Sequence, residues 1–326
     1  MKLPLAQFVR VFRDETVDDC RPNKDLFEVA LPTDPKSRAT SLRWNAIVRE
    51  GVIPQWNSQL PPKQVHRPPN HNTITEHATR IRKHIAKGHR DGRLVVEADL
   101  LEVWTDIFIS PIGVVDKAGP PPDIRVINDY SFPPGSSVND FTDRSNFPEV
   151  AYNPPKDIAT RIWELRTRFP GHPLLMMIRD VSGAFRHVPI NAAHVHMFAF
   201  QFDGYVVIDL ACGFGWCGSP AFYSVAGSLI NSLYETQRPH AHLSPADCSP
   251  FTGRVWCDDH TNVEVDRLEV FGSQPGSAQV VLGPRALNED KFTKWSTTTK
   301  ALGLIWNTEN GSVSVPAEKL PKPRHA

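Results

Sequence analysis

The stretch that most constrains the fold is Arg254, Val255, Trp256, Cys257, Asp258, Asp259, His260, Thr261, Asn262, Val263, Glu264, Val265. Apolar residues precede two adjacent aspartates, and Thr261, Val263 and Val265 follow at period two, so the segment reads as strand, tight turn, strand. That hairpin holds a carboxylate pair at its tip. Adjacent carboxylates repel, so rigid strands that present them together are suited to a cation, and Mg²⁺ is the usual one where phosphates react. An ordinary solvated turn is the competing reading, because Asp is favoured in turns for its own hydrogen bonding.

Several classes are excluded by the rest of the chain. With 326 residues, 40% hydrophobic and 22% charged, it can bury a sizeable core and divide into two or more domains, and its 30 prolines predict long irregular connections. Lys plus Arg equals Asp plus Glu, 36 against 36, so any attraction for nucleic acid must be local. Cys20, Cys212, Cys217, Cys248 and Cys257 show no paired short spacing, which argues against a zinc knuckle and a disulfide framework and for a reducing compartment. Met1 to Arg13 lacks the apolar core of a secretion signal and no stretch approaches membrane-spanning length, so the expected location is cytoplasmic or nuclear, without a membrane partner.

In chain order, residues 1 to about 60 offer one short helix near Ser41 to Glu50 and no assignable chemistry. Thr73 and Glu76 form a capping-box pattern for a helix whose Ile74, Ala78, Ile81 and Ile85 share a face, closed by Gly88. Its other face and the following turn carry Arg80, Arg82, Lys83, Lys87, Arg90 and Arg93 against Asp91, either a solvated face or a surface for phosphates. Leu94 to Lys117 reads as two strands, the second running Ile107 to Val115 through Pro111, which belongs at an edge or bulge. With Ile124 to Tyr130 it makes a hairpin that has Lys117 and Arg125 near its ends.

Ile158 to Phe169 is an amphipathic helix, and Leu174 to Ile178 is an apolar run typical of a strand buried on both faces, ending at Arg179 and Asp180. Asp180 and Asp258 can meet only if their strands are neighbours in one sheet. Ala211 to Gly218 is a glycine-rich loop, a plain turn or a place where backbone approaches a ligand through Gly213, Gly215 and Gly218. Ser219 as N-cap and Pro220 in the first turn then open a helix with Phe222, Val225, Leu229 and Leu233 on its buried face. Leu302 to Trp306 and Ser312 to Val315 read as a closing hairpin.

Taken in order, from about Thr73 to Leu320, these stretches resemble the polymerase core of reverse transcriptases of the retrovirus and LTR-retrotransposon kind. Asp180, Val181, Ser182, Gly183, Ala184, Phe185 is similar to the first catalytic motif, and Trp256, Cys257, Asp258, Asp259 to the hairpin of tyrosine, any residue, Asp, Asp. Phe214, Gly215, Trp216, Cys217, Gly218, Ser219, Pro220 resembles the loop and helix that pack on the incoming base pair. Ser110 to Lys117 with Ile124 to Asp129 resembles the fingers hairpin, and Leu302 to Trp306 the primer grip.

The resemblance implies an α+β right-hand polymerase fold: fingers and palm, an antiparallel palm sheet backed by helices, and the thumb missing. Residues 1–60 would be an N-terminal extension, 61–150 and 187–213 the fingers, 151–186 and 214–316 the palm, and 317–326 the start of the absent thumb. It implies RNA-directed DNA synthesis on an RNA or DNA template with primer, using dNTPs, with protein partners left open. Two Mg²⁺ ions, or Mn²⁺ in their place, would be held by Asp180 and Asp258 with Asp259 beside them, all three counted as catalytic. Lys117 and Arg125 would clamp the triphosphate and Lys291 would protonate the leaving pyrophosphate. Phe214 and Gly215 would line the nucleotide, and Phe185 would exclude a 2′-hydroxyl.

Three departures are expected to matter: Trp256 in place of tyrosine, the Gly- and Pro-rich 266–283 where the family has a palm helix, and the end of the chain soon after the primer grip. They keep a second reading open, a non-catalytic retroelement remnant that binds nucleic acid or nothing. An RNA-dependent RNA polymerase is a third, disfavoured by Phe185. A metal-binding structural protein without polymerase ancestry is a fourth, disfavoured by the ordered motifs.

Overall fold

The computed structural model describes residues 3–57, 63–117, 123–236, 251–266, 276–286 and 293–319. They fall into two compact units: the described parts of Met1–Ala30, Leu42–Glu149 and Phe185–Tyr223, and those of Leu31–Ser41, Val150–Ala184 and Ser224–Ala326. Among the described residues every pairing between strands is antiparallel, so the fold class is α+β.

In the first unit, Tyr205–Asp209 lies between Leu94–Glu97 and Ala199–Phe202, and Ile112–Lys117 pairs with Asp123–Asn128 as a separate hairpin. The helix Ala78–Arg90 unites both sheets in one core through Ile81 and Ile85, packed with Leu94, Ile112, Val114, Ile124, Val126, Phe200 and Val207. Each such side chain contributes about 1.5–3 kcal/mol on full burial, so the 3.6-residue spacing on the helix and the alternation on the strands select this arrangement together.

Three expectations for this unit are corrected. A 3₁₀ turn, Asn72–His77, precedes the helix, which has no side-chain cap; the Thr73 hydroxyl instead accepts the Val114 N–H at 3.0 Å. The strand expected from Ile107 to Val115 is split at Pro111, which has no N–H to give a ladder: Ile109 bridges to Ala199, and only Ile112 onward joins the hairpin. The N-terminal stretch holds two helices, Leu5–Phe12 and Pro35–Glu50, rather than one. Its parts outside Leu31–Ser41 are built into the unit, since buried Arg13 donates to the carbonyls of Ile190 (2.8 Å) and Leu210 (2.7 Å), and Val52 bridges to Ile190.

The cationic face of the Ala78–Arg90 helix is partly neutralised. Arg82 pairs with Asp203 at 2.7 Å, Lys87 with Asp91 at 3.0 Å, and Arg80 lies 3.9 Å from Asp116.

In the second unit, Asp259–Val265 is the central strand, flanked by Leu174–Asp180 and Gly253–Trp256. Alternation sends Leu174, Met176, Ile178, Val263 and Val265 to one face, where they pack with Ile158 and Leu165 of the helix Pro155–Arg168 and with Trp306. Pro155 at the first helical position needs no N–H donor there.

The other face carries Leu175 and Met177 together with Arg179, His260, Asn262 and Glu264, all buried, so Leu174 to Ile178 is buried on both faces as expected and a polar layer lies beside it on the second. Glu264 accepts from Arg161 (3.1 Å), the Tyr234 hydroxyl (3.2 Å) and the Thr252 N–H (3.0 Å). This satisfaction is what makes a buried carboxylate tolerable.

A second sheet runs Thr298–Ala301, Leu304–Asn307, Ser312–Ser314. Its first turn is Leu302-Gly303, both at positive φ (50° and 74°), so the strand expected to start at Leu302 starts two residues later. A helix, Gly276–Leu282, stands within the stretch expected to lack one, and 267–275 lie outside the described residues. Among the described residues no helix is long and apolar enough to cross a membrane.

Candidate active site

Asp180 closes its strand and is the Cα partner of Asp259, which opens the central strand. Trp256 and Asp259 are paired across the hairpin, leaving Cys257 and Asp258 as a two-residue turn. The Val181 N–H reaches the Asp258 carbonyl at 3.4 Å. The backbone therefore gathers all three aspartates at one end of one sheet, as the apolar run ending at Asp180 and the hairpin pattern require together.

The turn is held from outside by the segment before the Pro155–Arg168 helix. Asn153 donates its N–H to the Val255 carbonyl (2.8 Å) and accepts the Val255 N–H on its side chain (3.0 Å), which occupies the edge of the outer strand. Tyr152 packs its ring 5.5 Å from that of Trp256. Burial, and then the neighbouring Asp258, push the Cys257 thiol up to about 11, and burial first raises the Tyr152 phenol. Cys257 has φ +55°, a left-handed conformation that costs a non-glycine residue about 1–2 kcal/mol. His260, one residue past the aspartates, is buried with neither ring nitrogen hydrogen-bonded; burial and then Arg179 press its pKa to about 4, so it stays neutral.

The donors at the sheet end are hard carboxylate oxygens, the chemistry of Mg²⁺ or Mn²⁺. Among the described residues no group of three or more His, Cys, Asp or Glu is set to enclose a metal. Mg²⁺ in phosphate chemistry is commonly bound by one or two carboxylates, with water and phosphate oxygens completing its octahedron. Carboxylates carried at adjoining strand ends fit that ion better than they fit a closed structural site.

The first unit holds the other candidate residues. Arg125 is exposed on the Asp123–Asn128 strand, its Cζ 5.9 Å from the centroid of the Phe214 ring. Phe185 is buried, 4.9 Å from Phe214 and edge-on to Tyr223 at 5.7 Å, so its ring is largely spent on packing. Lys117 ends the Ile112–Lys117 strand opposite Asp123; its side chain and the whole of Lys291 lie outside the described residues.

The glycine loop is shaped by protein neighbours. Gly215, at φ +113°, faces the Asn128 carbonyl so closely that a Cβ would collide with it, and a Cβ on Gly218 would strike the Trp216 ring. Asn139 braces the loop by donating to the Gly215 carbonyl (3.0 Å) and accepting from the Cys217 N–H (2.9 Å). The Ser219 hydroxyl, expected as an N-cap acceptor, donates to the Gly213 carbonyl at 2.7 Å. Gly215 and Gly218 are thus explained by packing within the chain.

Sequence reasoning missed Tyr152 and Arg186. The guanidinium carbon of Arg186 also lies over the Phe214 ring, 5.4 Å from its centroid. The only sequence signal was a basic residue directly after the aromatic of the Asp180 motif.

Similar architecture occurs in solved structures. A foamy viral protease-reverse transcriptase dRH in complex with double-stranded DNA matches with TM-score 0.56 at 14% identity, over 99% of this chain and 50% of that one. The foamy viral protease-reverse transcriptase in complex with RNA/DNA hybrid matches at 0.51 and 12%, over 99% and 38%, and in complex with dsDNA at 0.51 and 13%, over 99% and 60%. No protein-family model and no curated protein matches the chain.

The fold is therefore reverse transcriptase-like. The chain spans at most 60% of the lengths of these neighbours.

Proposed function

We propose that the chain is the fingers and palm portion of an RNA-directed DNA polymerase from a retroelement, joining deoxynucleotides to a primer 3′-hydroxyl on an RNA or DNA template. The observation that carries this reading is the pairing of Asp180 with Asp259 across an antiparallel sheet, with Asp258 in the adjoining turn. The neighbours of like fold are complexes with DNA or RNA/DNA hybrid, which supports nucleic acid as the partner here.

Asp180 and Asp258 are assigned as Mg²⁺ ligands with Asp259 beside them; bound there, two such ions supply Lewis acidity at the attacking hydroxyl and at the triphosphate. The chain's own work is positional. The carboxylates are fixed by strand pairing and by the Tyr152 and Asn153 brace, so little reorganisation is needed when charge develops. Arg125 is assigned to hold the triphosphate, and Phe214 to pack on the incoming base pair. Phe185, packed 4.9 Å from Phe214, is assigned to disfavour a ribose 2′-hydroxyl.

The test is primer extension on poly(rA)/oligo(dT) with Mg²⁺, against the Asp258→Asn, Asp259→Asn double variant at equal folded concentration. Extension by the parent and none by the variant is expected. A folded parent that neither extends the primer nor binds the duplex overturns the assignment in favour of a non-catalytic remnant.

A further inference from the structure

Two arginines from different elements meet over one aromatic ring. Arg125 comes from the Asp123–Asn128 strand and Arg186 from the 3₁₀ turn Ala184–His187, with their guanidinium carbons 5.9 and 5.4 Å from the centroid of Phe214. Arg125 acts on Arg186 as a repelling like charge, which a bound anion between them would offset.

The charged side chains that act on Arg186 are Asp209, Arg93 and Arg125, and of these Arg93 is itself paired with Asp91 at 3.2 Å. Asp209 is buried and already accepts the Ala211 N–H at 3.1 Å. Arg186 itself is half-buried and has His84 at 3.5 Å, a ring nitrogen rather than an anion. The cluster therefore carries excess positive charge around a half-buried ring.

A guanidinium lying over a ring keeps its in-plane N–H groups available, and those groups match phosphate oxygens two at a time. We propose that Arg186 is a second phosphate-binding residue, sharing Phe214 with Arg125 so that the two together take the triphosphate of an incoming nucleotide. The identity of that anion rests on the polymerase reading; the anion site itself does not. Phe214 acts as the platform that sets the spacing of the two forks.

The competing role for Arg186 is structural, as neutraliser of Asp209. Calorimetric titration of the full chain with dTTP and, separately, with inorganic tripolyphosphate distinguishes the two. Arg186→Gln is expected to weaken both ligands by about tenfold or more, the loss of one charge-assisted contact, and Arg186→Lys by less. A folded glutamine variant that binds both ligands as the parent does overturns the proposal, as does a folded parent that binds neither. Should the glutamine variant fail to fold, the lysine variant decides: it keeps a charge opposite Asp209 but loses the fork, so parental affinity for tripolyphosphate overturns the proposal and a severalfold loss supports it. If tripolyphosphate binding depends on Arg186 while the folded parent neither extends the primer nor binds the duplex, the anion site stands and the polymerase reading fails.

Discussion

Glu264 offers a sharp test of the buried polar layer beside the candidate site. It sits on the strand that Asp259 opens, buried, accepting from Arg161, Tyr234 and the Thr252 N–H. Burial is the dominant influence and outweighs the Arg161 charge, so the carboxyl is pushed up from 4.5 to about 7. The folded protein then keeps a proton that the unfolded chain releases between those two values. Stability from this group is complete below about pH 4.5 and is lost as pH climbs through 7.

At about 1.4 kcal/mol per pH unit, the whole effect is ~3 kcal/mol. Glu264→Gln keeps the shape and cannot titrate, so it removes this dependence and leaves every other group's contribution in place. Urea unfolding followed by tryptophan fluorescence, at about pH 5 and about pH 8, gives the two free-energy differences. The parent should lose up to ~3 kcal/mol relative to the variant on going from acid to base. Parallel pH dependences would refute the reasoning. A parent that gains on the variant as pH rises would mean that the Arg161 ion pair outweighs burial.

Two further substitutions probe the backbone. Gly215→Ala should cost about 2 kcal/mol or more and lower the melting temperature by several degrees, because φ +113° is closed to alanine and its Cβ meets the Asn128 carbonyl; an unchanged melt would show that the loop moves freely. Cys257→Gly should exceed Cys257→Val in unfolding free energy by about 1–2 kcal/mol, since only glycine takes φ +55° without strain, and equal stabilities would mean that the turn relaxes.

The core of the second unit was legible because two periodic signals, the apolar run ending at Asp180 and the alternation after Asp259, each specify a strand. Their register was not: that Asp180 faces Asp259 depends on pairing between strands distant in sequence. Pro111 was recognised as disruptive, but where the strand resumes depended on Ala199, which takes Ile109. The hairpin turn Asp203-Gly204, both at positive φ, was plainly written as an Asp-Gly pair between β-forming residues and was passed over. Thr73 misled because its hydroxyl can serve either a helix end or a neighbouring strand, and only the fold brings Val114 to it. Tyr152 carries no pattern, and Arg186 only its place after the aromatic of the Asp180 motif; their placement beside Trp256 and Phe214 comes from rings and strands that converge after folding.

The equal numbers of acidic and basic residues gave no hint of this local order, and the reason is physical. Field strength at a surface depends on charges within about a Debye length, roughly 8–10 Å at moderate salt, not on the sum over the chain. Here the signs are segregated by element. Carboxylates stand at one end of the Leu174–Asp180 and Asp259–Val265 pair, while guanidiniums gather around Phe214 on the other unit. The Ala78–Arg90 helix, whose charges looked most conspicuous in the sequence, pairs several of them locally, with Asp203, Asp91 and Asp116. A run of like charges is cheap to neutralise on an exposed helix, where long side chains can reach partners. Charges held by strand register and by stacking on a ring have less freedom to do so, and these are the ones to which the proposed function assigns ligand contacts.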